Sequence, residues 1–104
     1  MNIMEWLSQW YKDKCNGEWE HLNSIKIESL DNPGWQIKID LENTELEGYD
    51  IKYSLIEKSP NDWYGLKIQN NVFHAAGDTN KLLFLIEKFR EISEQSLLNK
   101  SKSQ

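Results

Sequence analysis

The stretch Leu30-Asp31-Asn32-Pro33-Gly34-Trp35-Gln36-Ile37-Lys38-Ile39-Asp40-Leu41-Glu42 decides the fold. From Trp35 onward the apolar residues Trp35, Ile37, Ile39 and Leu41 alternate with Gln36, Lys38, Asp40 and Glu42. A period of two with one apolar and one polar face is the pattern of a half-buried antiparallel strand. Upstream, Ile25 and Ile27 alternate with Lys26 and Glu28 in the same way. Between the two runs, Asp31-Asn32-Pro33-Gly34 offers Pro33 and Gly34 as the second and third positions of a type II turn. The two runs therefore predict a hairpin.

Working outward, Glu47-Gly48 marks a reversal, and Tyr49, Ile51, Tyr53 and Leu55 then alternate with Asp50, Lys52 and Ser54 as a third strand. Ser59-Pro60-Asn61-Asp62 breaks the chain before a fourth strand, Trp63 to Ile68, with Tyr64, Leu66 and Ile68 on one face. Asn70-Asn71 tolerates positive φ and makes a two-residue turn into a fifth strand, Val72 to Ala75. Gly77-Asp78-Thr79 closes the sheet and offers a cap. At the two ends the period lengthens. Ile3, Trp6, Leu7, Trp10 and Tyr11 share one face of a helix over about residues 2–14, with Asn2 to cap it and Asn16-Gly17 as a left-handed stop. Leu82, Leu83, Leu85, Ile86, Phe89 and Ile92 form the stripe of a second helix. Strands flanked by helices give an α+β fold. The expected architecture is an antiparallel sheet of about five strands with the N-terminal and C-terminal helices packed on one face. Residues 1–98 form the single expected domain, and 99–104 a disordered polar tail.

The chain has 104 residues, which suits one domain. By surface scaling a chain of this mass buries roughly two thirds of its extended surface, enough for one core without metal or disulfide staples. One cysteine excludes an intrachain disulfide, and no apolar run approaches the ~20 residues that span a bilayer. The opening Met1-Asn2-Ile3-Met4-Glu5-Trp6 lacks the basic and apolar regions of a signal peptide. A cytoplasmic protein with no membrane association is expected.

The net charge of −5 argues against nucleic acid as a partner, because that affinity rests on Lys and Arg neutralising phosphates. The charge is also uneven. Residues 1–62 hold 13 acids and 6 bases, a balance of −7, whereas residues 63–104 hold 4 and 6, a balance of +2. Asp40, Glu42, Glu45, Glu47 and Asp50 crowd eleven positions that contain no base. Such a stretch is either a solvated face or a surface steered toward a basic partner.

Catalytic signatures are sparse. Cys15-Asn16-Gly17-Glu18-Trp19-Glu20-His21 gathers a thiol, two carboxylates and an imidazole, and a thiol-dependent enzyme using Cys15, His21 and Glu20 is one alternative. Cys15 falls at a helix C-terminus, however, where the helix dipole opposes a thiolate. His21 and His74 without a spaced carboxylate make a weak metal signal, so no metal or other cofactor is expected. A small-ligand or carbohydrate module with Trp19, Trp35 and Trp63 exposed as a stacking platform is a second alternative, since these Trp residues fall at strand ends or turns.

Three segments carry a family resemblance: Trp6-Leu7-Ser8-Gln9-Trp10-Tyr11, then Cys15 to His21, then Ile25-Lys26-Ile27-Glu28-Ser29-Leu30-Asp31-Asn32-Pro33-Gly34-Trp35. Together with Asp40-Leu41-Glu42-Asn43-Thr44-Glu45-Leu46 and Gly77-Asp78, they resemble the immunity protein 53 family of bacterial polymorphic toxin systems. Asn16, Glu18 and Ser29 depart from the Asp, Asp and Thr of that pattern. The resemblance implies a non-enzymatic cytoplasmic antidote that binds and neutralises a cognate toxin domain, here expected to be basic and nuclease-like. Combined with the charge distribution, it makes Glu18, Trp19, Glu20, Asp40, Glu42, Glu45, Glu47 and Asp50 the candidate partner-binding residues.

Overall fold

The computed structural model describes residues 1–102, with side chains through Lys100. In chain order the elements are α1 (Ile3–Lys14), α2 (Trp19–Leu22), β1 (Ile25–Leu30), β2 (Gly34–Asp40), β3 (Ile51–Ser59), β4 (Asp62–Gln69), β5 (Val72–Gly77) and α3 (Leu82–Lys102). The five strands form one antiparallel sheet in the order β1-β2-β5-β4-β3, so the fold is α+β as expected. None of the described helices is long and apolar enough to cross a membrane.

One face of the sheet is the core face. Ile37 pairs with Ile27 on one side and Ala75 on the other, and Phe73 stands between Ile39 and Ile68. Ile37, Ile39, Ile68, Phe73 and Ala75 are buried together with Ile3, Leu7 and Trp10 of α1 and Leu85, Ile86 and Phe89 of α3. Both long helices thus lie over the same face. Their seam is aromatic: Phe89 meets Phe73 and Trp10 with ring centroids 5.0 Å from each, and Trp6 at 5.9 Å.

Local chemistry explains most boundaries. Asn2 Oδ1 accepts the Glu5 amide at 2.9 Å and starts α1. The helix stops at Cys15, which is extended, and the left-handed residue is Gly17 (φ 94°), two positions later. There it turns the chain into α2, a one-turn helix that hydrophobic periodicity does not reveal. Asn16 Oδ1 accepts the Glu18 and Trp19 amides while Glu20 accepts those of Asn16 and Gly17, a reciprocal capping arrangement. Asn70 and Asn71 both take positive φ (54° and 60°) and form the expected tight turn between β4 and β5.

Three expectations need correction. The β1–β2 connection is not a type II turn: the Asn32–Pro33 bond is cis, and Gly34 does not adopt positive φ. Gly34 is required for space instead, because a Cβ there would run into the Gly77 carbonyl oxygen. The third strand begins at Ile51, not Tyr49, and its apolar residues are largely uncovered, with Tyr53 57%, Leu55 51% and Ile56 43% exposed. It is an edge strand, and a register shift between Ile51 and Ser54 breaks its alternation: Ile51 pairs with core-facing Ile68, whereas Leu55 pairs with Gly65 on the face away from the helices. On α3, Leu83 is exposed and the buried stripe continues through Ser93 and Ser96. That helix runs to Lys102, past residue 98, and the rest of the expected tail, residues 103–104, lies outside the described residues.

Ile37→Ala removes a fully buried side chain at the centre of the sheet and should cost about 2–5 kcal/mol in denaturant unfolding. Leu55→Ala, on the uncovered edge, should change stability by no more than about 0.5 kcal/mol.

Candidate functional site

The acidic segment connects β2 to β3 and is anchored at both ends and in the middle. The Leu41 amide donates to the Asn71 carbonyl at 2.8 Å, and the Gly48 amide donates to Asn71 Oδ1 at 2.7 Å. The tight Asn70-Asn71 turn therefore doubles as a dock for this loop. Leu41 and Leu46 are fully buried, and Thr44 Oγ1 donates to the Leu41 carbonyl while accepting the Leu46 amide. Gly48 supplies the reversal at φ 79°. On the far side, Trp19 Nε1 donates to the Glu42 carbonyl at 2.7 Å, bringing Glu18 and Glu20 of the α2 region beside the loop.

The candidate carboxylates divide into two groups. Glu18, Glu42, Glu47 and Asp50 are exposed, and among the described residues no cation pairs with any of them. Asp40 and Glu20 are half-buried and already engaged, Asp40 Oδ2 with the Ser24 amide at 2.8 Å and Glu20 with the amides of the α2 turn. Asp40, on the polar face of β2, is therefore not simply solvated: its bond to Ser24 fixes the entry to β1.

Glu45 points inward. Its side chain is only 7% exposed; Oε1 pairs with Lys14 Nζ at 2.7 Å, and Oε2 accepts Trp10 Nε1 at 2.8 Å and the Ser93 hydroxyl. Its carbonyl accepts Ser96 Oγ at 3.0 Å and Lys100 Nζ at 2.6 Å. Burial works to raise the Glu45 carboxyl, but Lys14, Ser93 and Trp10 outweigh it and hold the pKa down at about 2. The expectation that Glu45 belongs to the partner-facing surface is thereby corrected: every oxygen of the residue is used within the fold.

Trp19 is also internal, 3% exposed, with its ring edge-on to Trp10 at 6.1 Å. Trp35 is half-buried on the core face, in register with Gly77 and Tyr64, and donates Nε1 to the Thr79 carbonyl at 3.2 Å. Trp63 precedes Tyr64 on β4 and so points to the opposite face. The three Trp residues therefore form no common stacking platform. Nor does a thiol site assemble. Cys15 Sγ donates to the Tyr11 carbonyl, Glu20 is spent on backbone amides, and His21 is exposed with no hydrogen bond to Cys15 among the described residues. His74 Nε2 lies 3.2 Å from Gln36 Oε1 on the sheet face away from the helices. Among the described residues no three His, Cys, Asp or Glu side chains converge as metal ligands.

Two polar residues emerge as structural only in three dimensions. Asp78, nearly buried, accepts the Trp63 amide, the Asn80 amide and Lys81 Nζ, and Lys81 also reaches Asp62 at 2.8 Å. The Lys81 ammonium, together with those amides, holds the Asp78 carboxyl at about 2 despite burial. The Gly77-Asp78 pair signalled a cap in the sequence; its role as a latch between β4 and the start of α3 had no local signal.

The family model of immunity protein 53 matches residues 4–94, and the chain belongs to that family. Membership points to an immunity function exercised by binding a cognate toxin, and to a protein that is not an enzyme. No curated protein and no solved structure matches the chain.

A carboxyl whose folded-state pKa lies below its unfolded value stabilises the fold at neutral pH, and that contribution fades as pH falls through the folded value. For Glu45 the window runs from about 4.5 down to about 2. Glu45→Ala should cost ~2–4 kcal/mol at neutral pH, by stranding Lys14 and the Trp10 and Ser93 donors. In urea melts across pH 7 to 2, the wild type should lose its margin over the variant below about pH 4.5.

Proposed function

We propose that this member of the immunity protein 53 family is a cytoplasmic antidote that neutralises a basic, nuclease-like bacterial toxin domain through its acidic corner. Glu42, Glu47 and Asp50 of the β2–β3 loop and Glu18 before α2 carry the attraction, with Glu20 and Asp40 at its margin. The observation that supports this reading best is the division of labour within one short segment. Glu45 is consumed by the fold, while its neighbours Glu42, Glu47 and Asp50 stay exposed and unpaired among the described residues on a loop anchored to α1, α3 and the β4–β5 turn. A loop held in this way presents its charges without ordering cost at encounter.

Exposed carboxylates of this kind act on the rate of association and its salt dependence more than on dissociation. Trp19 contributes indirectly: it is the strut that carries the α2 region against Glu42, not an anchor inserted into the partner. Inhibition follows from occupancy of the toxin surface and needs no chemistry from Cys15 or His21.

The experiment uses the toxin domain encoded beside this chain. Reversing Glu42, Glu47 and Asp50 together to Lys should slow association by roughly tenfold or more at low salt and flatten its salt dependence. Circular dichroism should be unchanged, because none of the three side chains is used inside the fold. An association rate equal to that of the wild type at every salt concentration would reduce the acidic corner to a solvated face.

A further inference from the structure

The face of the sheet that the helices leave uncovered carries a row of basic residues across its centre, with Glu28, Asp40 and Glu57 toward its margins. Lys26 on β1 stands in register with Lys38 on β2, Lys38 with His74 on β5, and His74 with Lys67 on β4. These four residues alternate with the core-facing Ile25, Ile37, Ile39, Phe73, Ala75, Leu66 and Ile68, so they share the outer face. Lys26 and Lys38 are exposed, Lys67 and His74 half-buried. Among the described residues none of the three lysines forms an ion pair. The nearest acid along β1, Glu28, accepts from Gln36 instead.

Like charges directly opposite one another on neighbouring strands are destabilising. Lys26 and Lys38 are such a pair, in a chain whose net charge is −5. At the centre of the row burial, then Lys38 and Lys67, push the His74 pKa down. Beside the row is a shallow depression of about 320 Å³ lined by Gln36, Tyr53, Gly65, Lys67, His74 and Ala76. The Tyr53 ring lies over Gly65, and with Leu55 it forms an exposed apolar margin along β3.

We propose that this uncovered face, centred on Lys38, His74 and Lys67, is a second docking surface that receives an acidic segment of the toxin domain. The inference rests on the reading of the chain as a toxin antidote. At about 4.8 Å between strands the row extends for about 14 Å, the reach of four extended residues. Carboxylates laid along it would meet Lys38 and Lys67, which form no ion pair among the described residues, and apolar side chains at one end would cover Tyr53 and Leu55. A nucleic acid fits less well, because its continuous charge would meet the acidic loops of a chain that is negative overall.

The test compares wild type with the triple variants Lys26→Gln/Lys38→Gln/Lys67→Gln and Lys26→Glu/Lys38→Glu/Lys67→Glu. Each is titrated calorimetrically with the toxin domain encoded beside this chain. The Gln variant should melt close to the wild-type temperature, since none of the three lysines forms an ion pair within the described fold, yet bind the toxin domain about tenfold more weakly. The Glu variant should bind more weakly still. Unchanged affinity in the Gln and Glu variants would overturn the second surface and leave the antidote reading standing. A wild type that fails to bind the toxin domain would remove both. A fluorescent single-stranded oligonucleotide serves as the competing probe. If it binds the wild type and not the Gln variant, while toxin affinity is unchanged, the face belongs to nucleic acid and the proposal is overturned.

Discussion

The structure depends on one buried carboxylate. Glu45 sits in an otherwise irregular loop, yet it joins α1 through Trp10 and Lys14 to α3 through Ser93, Ser96 and Lys100. The cost of burying a charge is offset only where its oxygens are fully served, and here a cation, an indole and a hydroxyl serve them. Without this clasp the loop would still have Leu41 and Leu46 in the core, two bonds to Asn71 and one from Trp19, but nothing that ties it to α1 and α3 together. The aromatic seam of Trp10, Phe89 and Phe73 supplies the apolar half of the same junction. Helices, loop and sheet meet at this point, and the acidic surface takes its shape from it.

An acidic loop and a basic row follow from that arrangement. The loop keeps one acid for itself and turns the remaining exposed acids outward beside the α2 region. The sheet, covered by helices on one face only, sends Lys26, Lys38, His74 and Lys67 to the other. A net charge of −5 hides this polarity. For a protein that works by binding, such a distribution offers both long-range attraction and a means of fixing orientation at contact, because each patch rejects the partner surface that suits the other.

The sheet and its helices were legible because period-two and helical patterns are local. Ile37 and Ile39 entered the core as their alternation implied, and Asn70-Asn71 formed its turn because both side chains tolerate left-handed backbone. What stayed hidden was long-range or steric. Nothing near Glu45 in sequence distinguishes it from Glu42 or Glu47; its partners lie 31 to 55 positions away and exist as partners only after folding. Ser93 and Ser96 look like surface residues until Glu45 reaches them, whereas Leu83 looks like core and is not. Gly34 was recognised as necessary, but the reason is the close approach of Gly77, not the turn geometry. On β3 the register shift after Ile51 broke the expected alternation, leaving Ile51 opposite core-facing Ile68 and Leu55 opposite Gly65 on the outer face, and strand order placed β3 at an edge; sequence periodicity reveals neither.

The central claim is that the partner is met by the acidic loop and the uncovered sheet face, while the buried clasp behind the loop stays intact. Amide hydrogen exchange of this chain, alone and saturated with the toxin domain encoded beside it, tests that claim most directly. The account predicts added protection across residues 42–50 and on the β2, β4 and β5 segments around Lys38, Lys67 and His74. Added protection confined to the outer side of α3, around Glu87, Glu91 and Glu94, with residues 42–50 unchanged, would contradict it.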